Sequence, residues 1–188
     1  MTEVSVLTIS GVPGSGTTTI ARLLAEKLNL KMIYIGEIFR ELAKEHKMTL
    51  EEFGEYADDN PEIDRKLDER QLEYGKLGNI VLEGRLSGCV MRINNINAFK
   101  VLLTADLEER IKRVMGRENK GYEQVREEIE AREELELERY KKIYNLNYLD
   151  ISVYDLVIDT TDMSPEEIVI KIIEEFRNKQ NLESDQDQ

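Results

Sequence analysis

The chain has 188 residues and a formal net charge of -13, from 39 Asp plus Glu against 26 Lys plus Arg. That balance excludes a surface made for nucleic acid or anionic membrane, because neutralising phosphates takes an excess of Lys and Arg. At roughly 150 residues per domain the length suits one domain, and a single cysteine, Cys89, excludes an internal disulfide and a Cys/His zinc site. Glu3 stands where a signal peptide carries positive charge, and no ~18 apolar residues run uninterrupted. The expectation is a cytoplasmic monomer with no nucleic-acid or membrane partner.

Val4 to Ile9 reads as a short apolar strand, followed by a glycine-rich turn and by Ile20, Leu23, Leu24 and Leu28 at helical spacing. Met32 to Ile35 is a second strand ending at Gly36, and Ile38, Phe39 and Leu42 open an amphipathic helix. Thr49 with Glu52 fits a capping box, and Asn60-Pro61 fits an N-cap followed by Pro at the first helical position, so residues 37 to 77 are mostly helical. Ile80 to Leu82, Phe99 to Leu103 and Leu156 to Ile158 are buried-type strands. The charged stretch from Glu108 to Tyr144, broken at Gly116 and Gly121, predicts two helices joined by a flexible corner. After Phe176 too few apolar residues remain to pack, which predicts a frayed tail. Five strands alternating with helices predict an α/β fold, a parallel sheet with helices on both faces. Its ligands should bind just after Ile9, Ile35 and Leu82, at the C-terminal ends of the strands.

Gly11, Val12, Pro13, Gly14, Ser15, Gly16, Thr17 and Thr18 fit G-x-x-x-x-G-x-[ST], the phosphate-cradling loop, between a strand and a helix as that motif requires. Its glycines let several N–H groups point inward at an anion, and the helix N-terminus adds a favourable dipole. A dinucleotide fingerprint fails because Thr19 stands where its third glycine belongs. Thr18 would offer its hydroxyl to Mg2+, with Ser15 and Thr17 as further donors. Thr17 occupies the position of the usual lysine, which removes a point charge from the transferred phosphoryl group.

Arginines near the same edge can supply that charge. Arg40 lies one turn past Gly36, and Arg85 follows the third strand. Arg113 and Arg117 are four apart and share a helix face, as do Arg132, Glu136 and Arg139 at i, i+4 and i+7. A lone arginine in so charged a chain is ordinarily a surface ion pair, but paired guanidinium groups on one face are what a polyphosphate needs. Glu83, ending an apolar run, would organise Mg2+ through water, or else is a buried carboxylate paired with a neighbouring arginine.

Taken together these residues resemble the nucleoside monophosphate kinases, most closely the archaeal-type cytidylate kinases. The resemblance runs through Gly11 to Thr19, Gly36 to Ala43, Pro61 to Leu72, Val81 to Gly88 and the charged region up to Arg139. It implies a P-loop NTPase fold in a single kinase domain, 1–178, with core segments 1–36, 79–108 and 150–178. A helical insert at about 37–78 would receive the monophosphate, a small lid with flanking helices at about 109–149 would close over ATP, and 179–188 would be a disordered tail. Arg40 and Arg85 look like the arginines that grip the acceptor phosphate, and Arg113 with Arg117 like the pair at the lid hinge that meets ATP. Arg132, Glu136 and Arg139 are similar to the R-x-x-x-[DE]-x-x-R lid pattern of bacterial cytidylate kinases, whose acidic member contacts cytosine and whose arginines contact phosphates. The archaeal-type group shares threonine in place of the loop lysine, whereas Leu86 stands where the bacterial enzymes carry an acidic residue.

The implied reaction is phosphorylation of CMP and dCMP by ATP with Mg2+, catalysed chiefly by Arg85, Arg132 and Arg139. Competing readings are a kinase of AMP or UMP, a small-molecule kinase of the shikimate or gluconate type, and a non-catalytic nucleotide-binding module, for which Thr17 is the main argument.

Overall fold

In the computed structural model residues 5–186 are described, with the backbone alone for residues 50, 51 and 183–186. Five apolar runs become strands: β1 (Val6–Gly11), β2 (Lys31–Tyr34), β3 (Ile80–Glu83), β4 (Phe99–Thr104) and β5 (Leu156–Asp159). Val4, where the first strand was expected to begin, lies outside the described residues. The strands pair in parallel in the order β2-β3-β1-β4-β5, with Ile9 opposite Glu83 and Gly11 opposite Leu103. The chain fills one side of β1 with β2 and β3, then crosses to the other with β4 and β5. In an open parallel sheet such a reversal opens a crevice beyond the C-terminal strand ends.

Side chains alternate across the pleat, so β1, β2 and β3 feed two cores, while β4 and β5 feed one. Leu7, Ile9, Val81, Val101, Leu103 and Ile158 pack against α1 (Thr17–Leu28) and α8 (Pro165–Gln186) through Ile20, Leu24, Ile168 and Ile172. Val6, Ile33, Ile80 and Leu82 face α2 (Ile35–Glu45), α3 (Leu50–Asp59), α4 (Glu62–Leu77) and α5 (Ser87–Ile93) through Ile38, Leu42, Phe53, Leu67 and Met91. A smaller cluster of Ile111, Val114, Val125 and Ile129 joins α6 (Leu107–Glu118) to α7 (Tyr122–Tyr144). At roughly 1.5–3 kcal/mol per buried aliphatic side chain, these few residues hold the α6–α7 pair together less firmly than the two main cores hold the sheet.

Local chemistry explains most boundaries. The Thr49 hydroxyl accepts from the Glu52 N–H (3.2 Å) and the Glu52 carboxylate accepts from the Thr49 N–H (2.8 Å), the reciprocal cap of α3. Asn60 does not cap α4 as its sequence position suggests: its amide turns back to the Tyr56 carbonyl (2.7 Å) and closes α3, while α4 begins after Pro61. Gly116 lies inside α6 instead of breaking it. The break falls at Asn119, whose φ of 53° is left-handed, a conformation asparagine tolerates better than most residues. The frayed tail expected after Phe176 is instead helical through Gln186. Lys179 ties that helix to Asp155 (3.1 Å) and to the Ala98 carbonyl (3.2 Å), and lies over the Phe99 ring. Among the described residues no helix is long and apolar enough to cross a membrane.

Candidate active site

The loop after β1 runs beneath α6. A Cβ on Gly11 would stand 2.5 Å from the Leu103 carbonyl oxygen, and one on Gly14, at φ 85°, would stand 2.9 Å from Cβ of Arg110. Only glycine lets the chain pass here. Gly11, Val12 and Pro13 are buried under the turn, and Gly14 to Thr19 face a cleft of about 1270 Å³. Ser15 is committed to the loop itself, its hydroxyl and N–H both donating to the Val12 carbonyl at 2.8 and 3.1 Å.

The other walls of the cleft come from the ends of β2 and β3, from α6 and α7, and from the start of α8. Arg40, Arg85, Arg113, Arg117, Arg132 and Arg139 all line it, as do Glu83 and Glu136. Residues far apart in sequence thus meet where the topology places a crevice.

Each arginine meets a partner. Glu136 bridges two of them, accepting from Arg85 Nε at 2.8 Å and from Arg132 Nε at 2.9 Å. Burial opposes the charge on Arg85 and the Glu136 carboxylate outweighs it, so the guanidinium pKa moves up. Arg139 points to the opposite wall, Nη1 donating to Asp58 at 2.7 Å and Nη2 reaching both Asp64 oxygens at 3.2 and 3.0 Å. Arg113 is fixed by Glu109 (3.0 Å) and by the hydroxyl and carbonyl of Thr160 (3.0 and 2.6 Å). Arg117 is largely exposed beside Glu118, and Arg40 lies over the Tyr34 ring. Asp58, Asp64 and Thr160 escaped sequence reasoning, since partners 47 to 81 residues away along the chain leave no local signal, whereas Glu109 escaped although it stands at i, i+4 to Arg113 on one helix face. Arg110 escaped too. It is nearly buried, donating to the Pro13 carbonyl (3.3 Å) and to Glu133 (2.7 Å).

Glu83 is buried at the end of β3. Burial pushes its carboxyl upward, against a hydrogen bond from Thr17 and the charges of Arg85 and Arg132. The hydroxyl that meets it is therefore that of Thr17, not Thr18. Its Oε2 has no hydrogen-bond partner among the described residues, a donor atom left over for a hydrated cation. Among the described residues no three His, Cys, Asp or Glu stand together as a metal cluster.

The Cytidylate kinase-like family matches residues 6–162. The chain belongs to that family. A cytidylate kinase of Methanopyrus kandleri is 47% identical over 169 residues, covering 86% of this chain and 88% of its own length. One of Archaeoglobus fulgidus is 46% identical over 172 residues, covering 89% and 94%. Among solved structures a gluconokinase of Sinorhizobium meliloti, 14% identical, superposes with a TM-score of 0.65 over 100% of both chains, a likeness of fold: the α/β fold of the P-loop kinases. In this cytidylate kinase-like chain Leu86, at the position where an acidic residue stands in the bacterial pattern, is buried and lines a smaller recess beside the cleft.

Proposed function

We propose that the cleft transfers the γ-phosphoryl group of ATP to CMP, and to dCMP, releasing ADP. The observation that carries this reading is the gathering of six arginines from four segments around one phosphate loop. Two polyanions must be brought together, and guanidinium forks match phosphate oxygens. The loop and the start of α1 receive the ATP phosphates, Arg113 and Arg117 serve the donor side, and Arg40 and Arg85 grip the acceptor phosphate. In this reading α2 to α4 form the insert that receives the monophosphate, and α6 with the front of α7 forms the lid.

The acceptor phosphate is already ionised, so positioning and charge stabilisation do most of the work. One of its oxygens attacks the γ-phosphorus in line. The new P–O bond forms as the bond to the β,γ-bridging oxygen breaks, and ADP leaves with that electron pair. Charge spread over the γ-oxygens is met by Arg85, Arg132 and Arg139. These three are held by Glu136, Asp64 and Asp58 and exchange those carboxylates for phosphates. Glu83 and Thr18 would hold Mg2+ through its waters, and the ion would neutralise the β- and γ-oxygens. Lid closure excludes water that would otherwise hydrolyse ATP.

A coupled ADP-release assay with CMP, UMP, AMP and GMP tests the reading. CMP is expected to give the highest kcat/KM. ATP binding without ADP release from any of the four would leave a non-catalytic nucleotide-binding module, the reading that Thr17 favours.

A further inference from the structure

The recess beside the cleft has a volume of about 60 Å³ and is lined by Asp68, Gln71, Leu86 and Tyr144, together with residues it shares with the cleft, among them Asp64, Leu67 and Arg85. An apolar cavity that seats benzene measures roughly 150 Å³. A space this small takes one edge of a ring, the rest of which stays in the cleft.

Its polar groups form an ordered chain. Ser87 Oγ donates to Gln71 Oε1 at 2.9 Å, which directs the Gln71 amide nitrogen to Asp68 Oδ1 at 3.1 Å, and the Tyr144 hydroxyl donates to the same carboxylate. Asp64, one turn earlier on α4, is occupied by Arg139. Asp68 differs: among the described residues it pairs with no cation, and two neutral donors leave a carboxylate with acceptor sites to spare.

We propose that this recess reads the base of the acceptor nucleotide and that Asp68 accepts the hydrogen bond of the exocyclic amine of cytosine. The inference rests on the reading of the cleft as a CMP kinase site and adds to it the residue that selects the base. Uracil presents a carbonyl where cytosine presents the amine, so the same carboxylate would meet it acceptor to acceptor and leave both unpaired. Leu86 has no acceptor to offer, and α4 supplies one from the other side of the same recess. Burial raises the Asp68 carboxyl to about 6, the mark of a charge kept where no cation compensates it.

Asp68→Asn keeps the side-chain shape and turns part of the acceptor into a donor. With ATP saturating, the ratio of kcat/KM for CMP to that for UMP is expected to fall at least tenfold, through the monophosphate KM, with the KM for ATP unmoved. Equal losses for CMP and UMP, or an unchanged ratio, overturn the proposal. On the unaltered protein, N4,N4-dimethyl-CMP, which has no amine N–H to donate, is expected to lose at least tenfold in kcat/KM, and turnover at the CMP rate overturns the proposal as well. An unaltered protein inactive toward every monophosphate would overturn the CMP kinase reading itself. One active on CMP but indifferent to both changes would overturn only the role of Asp68.

Discussion

The phosphate loop and the inner face of α7 line the same cleft and are held in opposite ways. Loop contacts run mainly to backbone: Ser15 to the Val12 carbonyl, Arg110 to that of Pro13, Arg113 to those of Thr160 and, at 3.5 Å, Ser15. The arginines of α7 instead hold carboxylates, Arg139 those of Asp58 on α3 and Asp64 on α4, and Arg132 that of Glu136 on α7 itself, which it shares with Arg85. Backbone bonds fix the loop before substrate arrives, so its N–H groups need no reorganisation. Arg132–Glu136 and Arg139–Asp58, each with one partner open to solvent, contribute only about 0–1 kcal/mol each. Arg85–Glu136 and Arg139–Asp64 are largely buried, and in the proposed reaction a phosphate displaces a carboxylate from a guanidinium like for like. The contrast separates two jobs that a loop lysine would have joined. In the proposed reading one half of the site is a preformed cradle, and the other is a set of charges freed when phosphates replace acids.

Breaking the ion-paired half is expected to have the largest effect. Arg132→Ala combined with Arg139→Ala should lower kcat by ~10²–10³, in line with the loss of electrostatic stabilisation at a transition state, with little change in the KM for ATP. A kcat within about threefold of the unaltered protein would show that the α7 arginines do not replace the missing lysine and would end the division of labour drawn above.

Arg110 is where the two halves touch, since one nitrogen, Nη1, serves both the Pro13 carbonyl of the loop and Glu133 of α7. Among the described residues its Nε is buried without a partner. Removing one member of a buried ion pair costs about 3–5 kcal/mol. Glu133 retains 25% side-chain exposure, which places Glu133→Ala near or below the low end of that range, at about 2–3 kcal/mol by urea denaturation. A loss under about 0.5 kcal/mol, the size of an ordinary surface substitution, would mean that the loop and α7 are not coupled through this pair.

How much of this was legible in the sequence follows the same divide. The loop was readable because its glycines, its strand and its helix are consecutive, and the arginine pairs on α6 and α7 because helical spacing sets their faces. Glu136 beside Arg132 was readable by the same spacing, but the long-range partners of those arginines were not. Arg139 meets Asp58 and Asp64 across 81 and 75 residues, and only the packing of α3 and α4 beside α7 brings them there. The net charge of -13 likewise gave no hint of six arginines in one cleft. At the helix ends, glycine was the residue to look for, but asparagine takes the left-handed turn after α1, α6 and α7. The last helix persists because Lys179 reaches Asp155, a contact that local composition does not announce.

The smallest expected effect sharpens the comparison by asking whether the acceptor side stores instability that the loop side does not. Asp68 is faced by Asp64 on its own helix, by Gln71, and by Tyr144 of α7, with Arg139 turned to Asp64. Burial raises its pKa from 3.8 to about 6, so the folded state binds a proton more tightly than the unfolded one does. That preference favours folding fully below pH 4 and is lost as the pH rises through 6. At about 1.4 kcal/mol per pKa unit the shift sets a ceiling of about 3 kcal/mol, and solvent entering the recess brings the expected penalty to about 1–2 kcal/mol at pH 7.5. Asp68→Asn removes the charge while keeping an acceptor for Gln71, so it should be more stable than the unaltered protein by that amount at pH 7.5 and equal to it near pH 4. Urea midpoints measured at both values check this. A variant less stable at pH 7.5 would mean that the carboxylate earns its place by structure alone, whereas a gain in stability joined to a loss of preference for CMP is what a residue kept for its substrate predicts.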